Sequence, residues 1–518
     1  MLKKLLLATV ALVGVLLLII AGMLMSTLPQ TPRVGVAGDF IVRNVAVVDV
    51  KQGAIREGQD VVLRDGRIEA VRPTGSSRMD SSLTTIDGRG KYLMPGLWDM
   101  HTHAVKISPQ YTHPLYVANG VTGVRDMSGC MSEPDSFLAC IADREAWNLA
   151  LERGEGISPR YVLQSSFMIN GGGEVPEGFP AFFKARDAVE ARQLVTFYRK
   201  TGADFLKIYS ELSPASYEAL VVEARKQGLG LAGHRPLRVS LEDMLAAGQR
   251  SIEHPRMFYE ECFPGAPALR ALPNPRTAYD TALRWRMIDE HDRERCSELM
   301  AVMARSETWW TPTLQVLRLG ARADDDAFRA DPRLKYIPIL FTKLIWTPDA
   351  DNAVPQPTDA SGRKQYATLY RMAQGHVGQA HAAGIKILAG TDSGDTYVFP
   401  GFGIHDELEE FVGAGLTPAE AIRIATLDAA VFAGMDDDFG SIETGKIGDV
   451  LLIDADPLKD VGHARRIEGL FLSGKYLDRA ALDELLAFAE QQAGSFQTNL
   501  HLLWQGLNSP IMRVHAED

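Results

Sequence analysis

The chain opens on an unbroken apolar stretch, Leu5 to Met25, without a charge and preceded by Lys3 and Lys4. A helix of this length spans the roughly 30 Å of a bilayer core, whereas the apolar part of a cleaved signal is usually only about 7–15 residues. The pattern therefore predicts an uncleaved anchor in residues 1–25, with the amino terminus cytoplasmic and everything past Ser26 on the periplasmic or extracellular side. Gly35 and Ala37 are small at a cleavage-like spacing but lie far beyond the apolar run; cleavage there would leave a secreted protein. Residues 26–39 read as a linker. From Phe40 the period changes to two, predicting strands at 40–50, 60–63, 67–71 and 83–86, with Asp65-Gly66 as a hairpin turn. Residues 40–92 form a small all-β segment on this reading.

Between residues 93 and 432 short apolar runs alternate with helical stretches, which implies parallel strands joined by crossover helices. Strands are predicted at 99–103, 124–126, 162–167, 205–209, 231–234, 252–254, 311–314 and 387–392. Eight such units make an α/β fold, a (β/α)8 TIM barrel. Helix starts agree: Ser213-Pro214 is a cap with proline behind it, and Thr417-Pro418-Ala419-Glu420 is a capping box. Two interruptions rich in Pro, Asp and Arg, residues 255–290 and 318–360, follow strand ends and are expected over the barrel mouth. Strand texture returns in 433–477, at 449–454 and 469–472. The two flanking β pieces then join as one β-sandwich with the barrel inserted between them. Residues 478–518 end in an amphipathic helix carrying Leu482, Leu485, Leu486 and Ala489, expected to pack on the barrel or on a partner subunit.

Composition narrows the class. Lys and Arg total 54 against 66 Asp and Glu, a net charge of −12, and no basic run appears, which speaks against nucleic acid as a partner. A hydrophobic content of 46% and a mean hydropathy of −0.07 are those of a globular protein with a large core. Cys130, Cys140, Cys262 and Cys296 allow three pairings, of which the two sequence-local bridges are simplest; free buried thiols are the plainer alternative.

His101-Thr102-His103 stands at a strand end, where side chains two apart point the same way and both imidazoles can face one ion. Lys207, His234, His254 and Asp392 each lie at or near the carboxyl end of another predicted strand, where barrel sites are built. Singly each has a plainer explanation: an ion-paired lysine, a hydrogen-bonded core histidine, a helix-capping aspartate. Jointly they point to a metal centre. A lysine buried there tends toward the neutral amine, which can take up carbon dioxide, and the resulting carbamate resembles a carboxylate able to bridge two ions.

The motifs Met94-Pro95-Gly96-Leu97-Trp98-Asp99-Met100-His101-Thr102-His103, Gly120 to Asp126, Ser251-Ile252-Glu253-His254 and Ala389-Gly390-Thr391-Asp392-Ser393-Gly394, with Gly440 to Lys446 and Asp449 to Pro457, carry a resemblance. From about Phe40 to Tyr476 the chain resembles the metal-dependent amidohydrolase superfamily, in its imidazolonepropionase-like and prolidase-like branch. The resemblance implies that His101, His103 and Asp392 hold one divalent ion and His234 and His254 another. It also implies an N-carboxylated Lys207 bridging them and Asp392 as the proton carrier. Imidazole and carboxylate ligands suit zinc, the first choice, and equally manganese, iron or cobalt. The reaction implied is hydrolysis of an amide or peptide-like C–N bond in a small molecule or short peptide.

Tyr209 is a candidate oxyanion donor and Arg235 a candidate for a substrate carboxylate, while Arg125-Asp126 reads as a structural ion pair. The chain departs from dipeptide-cleaving relatives in Asn170-Gly171-Gly172-Gly173-Glu174, where they often carry a histidine, and in His234-Arg235-Pro236, where they often read His-Ala-His. The rivals are a mononuclear deaminase or cyclic-amide hydrolase, and a catalytically silent membrane-anchored binding module. Homo-oligomerisation is left open.

Overall fold

The computed structural model describes residues 2–76, 81–130, 134–172 and 184–509. Gly173 and Glu174 of the glycine-rich stretch, and the last residues of the tail, lie outside them. The apolar start is a helix, Leu2–Met25, of 24 residues, about 36 Å long at 1.5 Å per residue. Among the described residues it is the one helix long and apolar enough to cross a membrane.

The two flanking β pieces join in a single nine-stranded sheet. The seam is the antiparallel pairing of Tyr92–Pro95 with Val450–Ile453. The hairpin turns at Asp65 and Gly66, both left-handed with φ of 50° and 72°, the geometry that matches strand twist. Its first strand is longer than the alternation predicted, Ala54–Arg64, because polar Arg56 and Gln59 pair with Val47 and Val45 across a register shift that breaks the alternation on the way. Phe40 and Phe471 are three strands apart in the order, about 14 Å in a flat sheet, yet their rings lie 5.5 Å apart. The sheet therefore curls on itself around Phe40, Val42, Val47, Leu93, Leu452 and Phe471.

Between these pieces the chain is mixed α/β, and its parallel pairing runs in a closed circuit. Leu97–Thr102 pairs with Val121–Asp126, which pairs with Arg160–Tyr161. Bridges Ser165 to Phe205 and Ile169 to Ile208 lead to Phe205–Ile208. That strand pairs with Gly230–Gly233, then Ser251–Glu253, then Trp309–Thr311. Bridges Trp310 to Ile387 and Thr102 to Ser393 return to the start. Two predicted strands, 162–167 and 387–392, are thus not ladders but irregular segments making single bridges. Leu163 and Asp392 carry φ of 61° and 64°, which interrupts the pleat.

Ser213 accepts from the Ser216 amide with Pro214 behind it, and Thr417 and Glu420 form the capping box. The first interruption folds as helices Arg256–Glu261, Ala266–Arg270 and Thr281–Asp289, tied to the following helix Arg293–Ala304 by the disulfide Cys262–Cys296. Cys130 and Cys140 form the other bridge. Among the described residues the tail is two helices where one was expected, Arg479–Gly494 and Phe496–Asn508. Ser495 caps the second by accepting from the Thr498 amide. Leu482, Leu485 and Ala489 are buried and Leu486 partly so, with the first tail helix against the helix Thr112–Ala118.

Candidate metal centre

The site is assembled by loops and strand ends on one side of the parallel circuit. His103 Nε2 lies 2.6 Å from Asp392 Oδ1, His101 Nε2 lies 3.3 Å from the same oxygen, and His254 Nδ1 lies 3.5 Å from Asp392 Oδ2. The ring centroids of His254 stand 4.9 Å from His101 and 4.6 Å from His234. Lys207 is buried on the adjoining strand, its charge felt by His101, His234 and His254. The structure thus gathers His101, His103, Lys207, His234, His254 and Asp392.

The close approach has a backbone cause. Gly390 lies so tightly between strands that a Cβ there would stand 2.5 Å from Thr311 Cγ2 and 2.9 Å from His101 Cβ. Asp99 fixes the same loop: its carboxylate accepts from the Thr391 amide at 3.0 Å and the Thr391 hydroxyl at 2.6 Å.

Burial governs the protonation states. It lowers His101 to about 4 and holds His234 and His254 well below the ordinary histidine value, so these imidazoles are neutral at neutral pH and offer lone pairs. Burial likewise lowers Lys207 to about 8. At His103 burial acts downward, but the hydrogen bond and charge of Asp392 outweigh it and the net shift is upward. Burial would raise Asp392; the surrounding histidines overcome it and hold the carboxyl well below its usual range.

The second layer orients the rings. His101 Nδ1 is 2.9 Å from Glu253 Oε2, and Arg125 donates to both oxygens of Glu253 at 2.9 and 3.0 Å. With Glu253 ionised, His101 carries its proton on Nδ1. Its Nε2 lone pair then faces Asp392 with no hydrogen-bond partner, fully buried, the state of a ligand atom. Ser210 Oγ stands 2.7 Å from His234 Nδ1, and Thr313 Oγ1 stands 3.0 Å from His254 Nδ1. Glu253, Ser210, Thr313 and Asp99 were missed in the sequence. Glu253 and Asp99 had a signal, both being inside quoted motifs: Glu253 at strand period two from Ser251, which Arg125 also contacts, and Asp99 at the same period from His101.

Two expectations are corrected. Arg125 and Asp126 are not paired with each other: adjacent strand residues point to opposite faces, and Arg125 goes to Glu253 while Asp126 goes to Arg144. The Arg235 guanidinium is not available to a substrate. It is buried against Glu260 at 2.7 Å and Glu261 at 3.1 Å in the first interruption, and donates to the Val239 carbonyl. Arg256, solvent-accessible at the start of the same interruption, is a second cation, beside Lys207, whose charge reaches His234 and His254; it also acts on Tyr209, with Glu260 its foremost charge partner. The Tyr209 ring stacks on His234 at 4.1 Å.

His101, His254 and Asp392 present donor atoms within 4.8 Å of one another, and the orphaned His101 nitrogen and neutral imidazoles fit a divalent ion. Cys262, His291 and Cys296 are similarly close, but their sulfurs are spent in the disulfide.

Comparison with known proteins agrees with this geometry. Residues 373–477 match the amidohydrolase family. Over 92% of its length the chain superposes on 93% of a bottromycin amidohydrolase with a TM-score of 0.66 at 22% identity. This chain has the amidohydrolase fold. A Xaa-Pro dipeptidase with bound methionine shares the fold over 85% of this chain and its own whole length, with a TM-score of 0.59 and 19% identity. In sequence, an adenine deaminase from Ruegeria is 34% identical over 107 residues, 17% of this chain and 18% of the relative. An imidazolonepropionase from Pseudoalteromonas atlantica is 33% identical over 75 residues, 13% of this chain and 18% of the relative. The chain thus spans less than a fifth of the length of these curated relatives.

Proposed function

We propose that this protein is a metal-dependent hydrolase of an amide or peptide-like C–N bond, held at a membrane by residues 5–25 with its catalytic part outside the cytoplasm. We read the parallel circuit as the (β/α)8 barrel, residues 93–432, inserted in the β unit made by residues 40–92 and 433–477. The observation that carries the functional reading is the buried, unpartnered His101 Nε2 facing Asp392, with neutral His254 beside it.

On this reading His101, His103 and Asp392 would hold one divalent ion and His234 and His254 a second, and an N-carboxylated Lys207 would supply a further carboxylate-like ligand. The ions, zinc by preference, supply an acidified water and a polarised carbonyl when bound. Asp392 is placed to take the proton from the attacking water and return it to the leaving nitrogen. Tyr209, held by its stack on His234, donates to the developing oxyanion. Arg256 replaces Arg235 as the group that receives a substrate carboxylate. A cavity of about 350 Å³ bounded by Gly171, Ser210, Glu211, Leu237, Arg238 and Asn274 adjoins Ser210, the partner of His234, and offers room for the remainder of a small substrate.

One observation favours a mononuclear deaminase or cyclic-amide hydrolase: the donor atoms of His101, His254 and Asp392 lie within 4.8 Å of one another in a group that does not include His234. Elemental analysis of the detergent-solubilised full chain, purified without chelator and with bicarbonate, separates the readings. About two ions per chain, with hydrolysis of N-acyl amino acids or dipeptides abolished in His101→Ala, is the expected result. About one ion, indifferent to Lys207→Ala, moves the assignment to the mononuclear reading, and a metal-free protein overturns both.

A further inference from the structure

The last helix, Phe496–Asn508, has three faces. One, with Thr498, Leu502 and Gly506, is buried on the protein. A second meets the end of the apolar amino-terminal helix: His501 Nε2 lies 3.0 Å from the Met23 carbonyl, and Gln497 donates to Ser26 Oγ at 2.8 Å. The third carries Phe496, Leu500, Leu503, Trp504 and Leu507, the i, i+4, i+7, i+8, i+11 spacing of one helical stripe. Phe496, Leu503, Trp504 and Leu507 are between 39% and 69% exposed. At 100° per residue this stripe adjoins the Gln497 and His501 face and lies opposite the buried one.

The patch extends beyond the helix. Asn499 Oδ1 accepts from the Leu340 amide at 2.9 Å, which brings in the segment Ile339–Trp346, where Ile339 and Leu344 are again more than half exposed. Lys343 stands exposed beside Leu344. Exposed apolar side chains grouped in this way, unlike singly scattered ones, mark a binding surface. Their position decides the occupant. Met23 to Ser26 is where the span ends, so a helix hydrogen-bonded to it lies at the depth of the lipid headgroups, where tryptophan is favoured.

We propose that Phe496–Asn508, together with Ile339 and Leu344, is a membrane-docking surface. The helix lies in the plane of the bilayer with Phe496, Leu503, Trp504 and Leu507 buried among the upper acyl chains. The amidohydrolase domain is then held at a fixed tilt by two attachments, the span and this helix. The inference rests on the anchor reading of residues 5–25.

The test is tryptophan quenching in the full chain reconstituted in phosphatidylcholine vesicles with brominated acyl chains. The expected result is strong quenching that is mostly lost in Trp504→Phe and in Leu503→Asp/Leu507→Asp, while both variants still pellet with the vesicles and keep the wild-type melting temperature. Pelleting with no difference between wild type and Trp504→Phe overturns the docking surface and leaves the anchor standing. An intact chain that stays in the supernatant overturns the anchor and the docking surface with it. A halved particle mass of Leu503→Asp/Leu507→Asp in detergent assigns the stripe to a second copy of the chain and overturns the proposal.

Discussion

His101 and Glu253 are joined by a 2.9 Å hydrogen bond with both side chains wholly inaccessible to solvent, although 152 residues separate them in sequence. The bond fixes which imidazole nitrogen is free. Glu253→Leu should lower metal affinity about 10- to 100-fold by releasing the ring's tautomer and orientation. It also strands the buried Arg125 charge, at a cost of about 3–5 kcal/mol. Equilibrium metal titration and thermal melting read the two effects, and unchanged affinity with lowered stability would show that Glu253 serves only Arg125.

Lys207→Ala and Lys207→Met remove the amine while keeping or nearly filling the space. If a carbamate bridges two ions, both variants lose about one ion per chain and nearly all hydrolysis, and wild-type metal uptake depends on bicarbonate. Equal uptake with and without bicarbonate would exclude the carbamate.

Arg256 and Arg235 differ in their expected effects. Arg256→Met should raise KM about 10- to 100-fold for a substrate with a carboxylate, the worth of a charge-assisted hydrogen bond of about 1.5–3 kcal/mol, with little change for a neutral analogue. Arg235→Met should instead lower the melting temperature, because it removes the buried partner of Glu260 and one of the two arginines, with Arg270, that pair with Glu261. Steady-state kinetics on paired charged and neutral substrates distinguish the roles.

Asp449 carries a pH signature outside the metal site. Its Oδ1 accepts from the Ser473 amide at 2.8 Å, while Oδ2 is buried without a hydrogen-bond partner. Burial raises this carboxyl above the ordinary 3.8, against the pull of Arg160 and the Ser473 amide. A raised folded-state pKa contributes stability that is complete below the unfolded value and is lost as pH rises through the folded one. Asp449→Asn keeps the acceptor and abolishes the titration. Its melting temperature should exceed that of the wild type at pH 8, and the gap should close toward pH 4.

Much of the fold and the site was legible in the sequence because the signals were local. A β period, a Ser-Pro cap or a histidine at the end of an apolar run needs only a short window. What was missed depends on partners far along the chain. Arg235 beside His234 looked available because nothing nearby in sequence opposes its charge; Glu260 and Glu261 belong to the first interruption, beyond the next strand. The segments 162–167 and 387–392 carried apolar runs typical of strands, but left-handed Leu163 and Asp392 interrupt them. The split of the tail did have a local signal in Gly494-Ser495, the pair that ends one helix and caps the next.

The pairing of Tyr92–Pro95 with Val450–Ile453 gives the nascent chain a timing problem. At about 5–20 residues per second of synthesis, the first strand waits roughly tens of seconds for its neighbour. Throughout that interval Leu93 and Met94, fully buried in the finished protein, sit on an open strand edge able to pair with another chain. A product truncated before residue 450 keeps that edge open for good, without the strand that closes the seam.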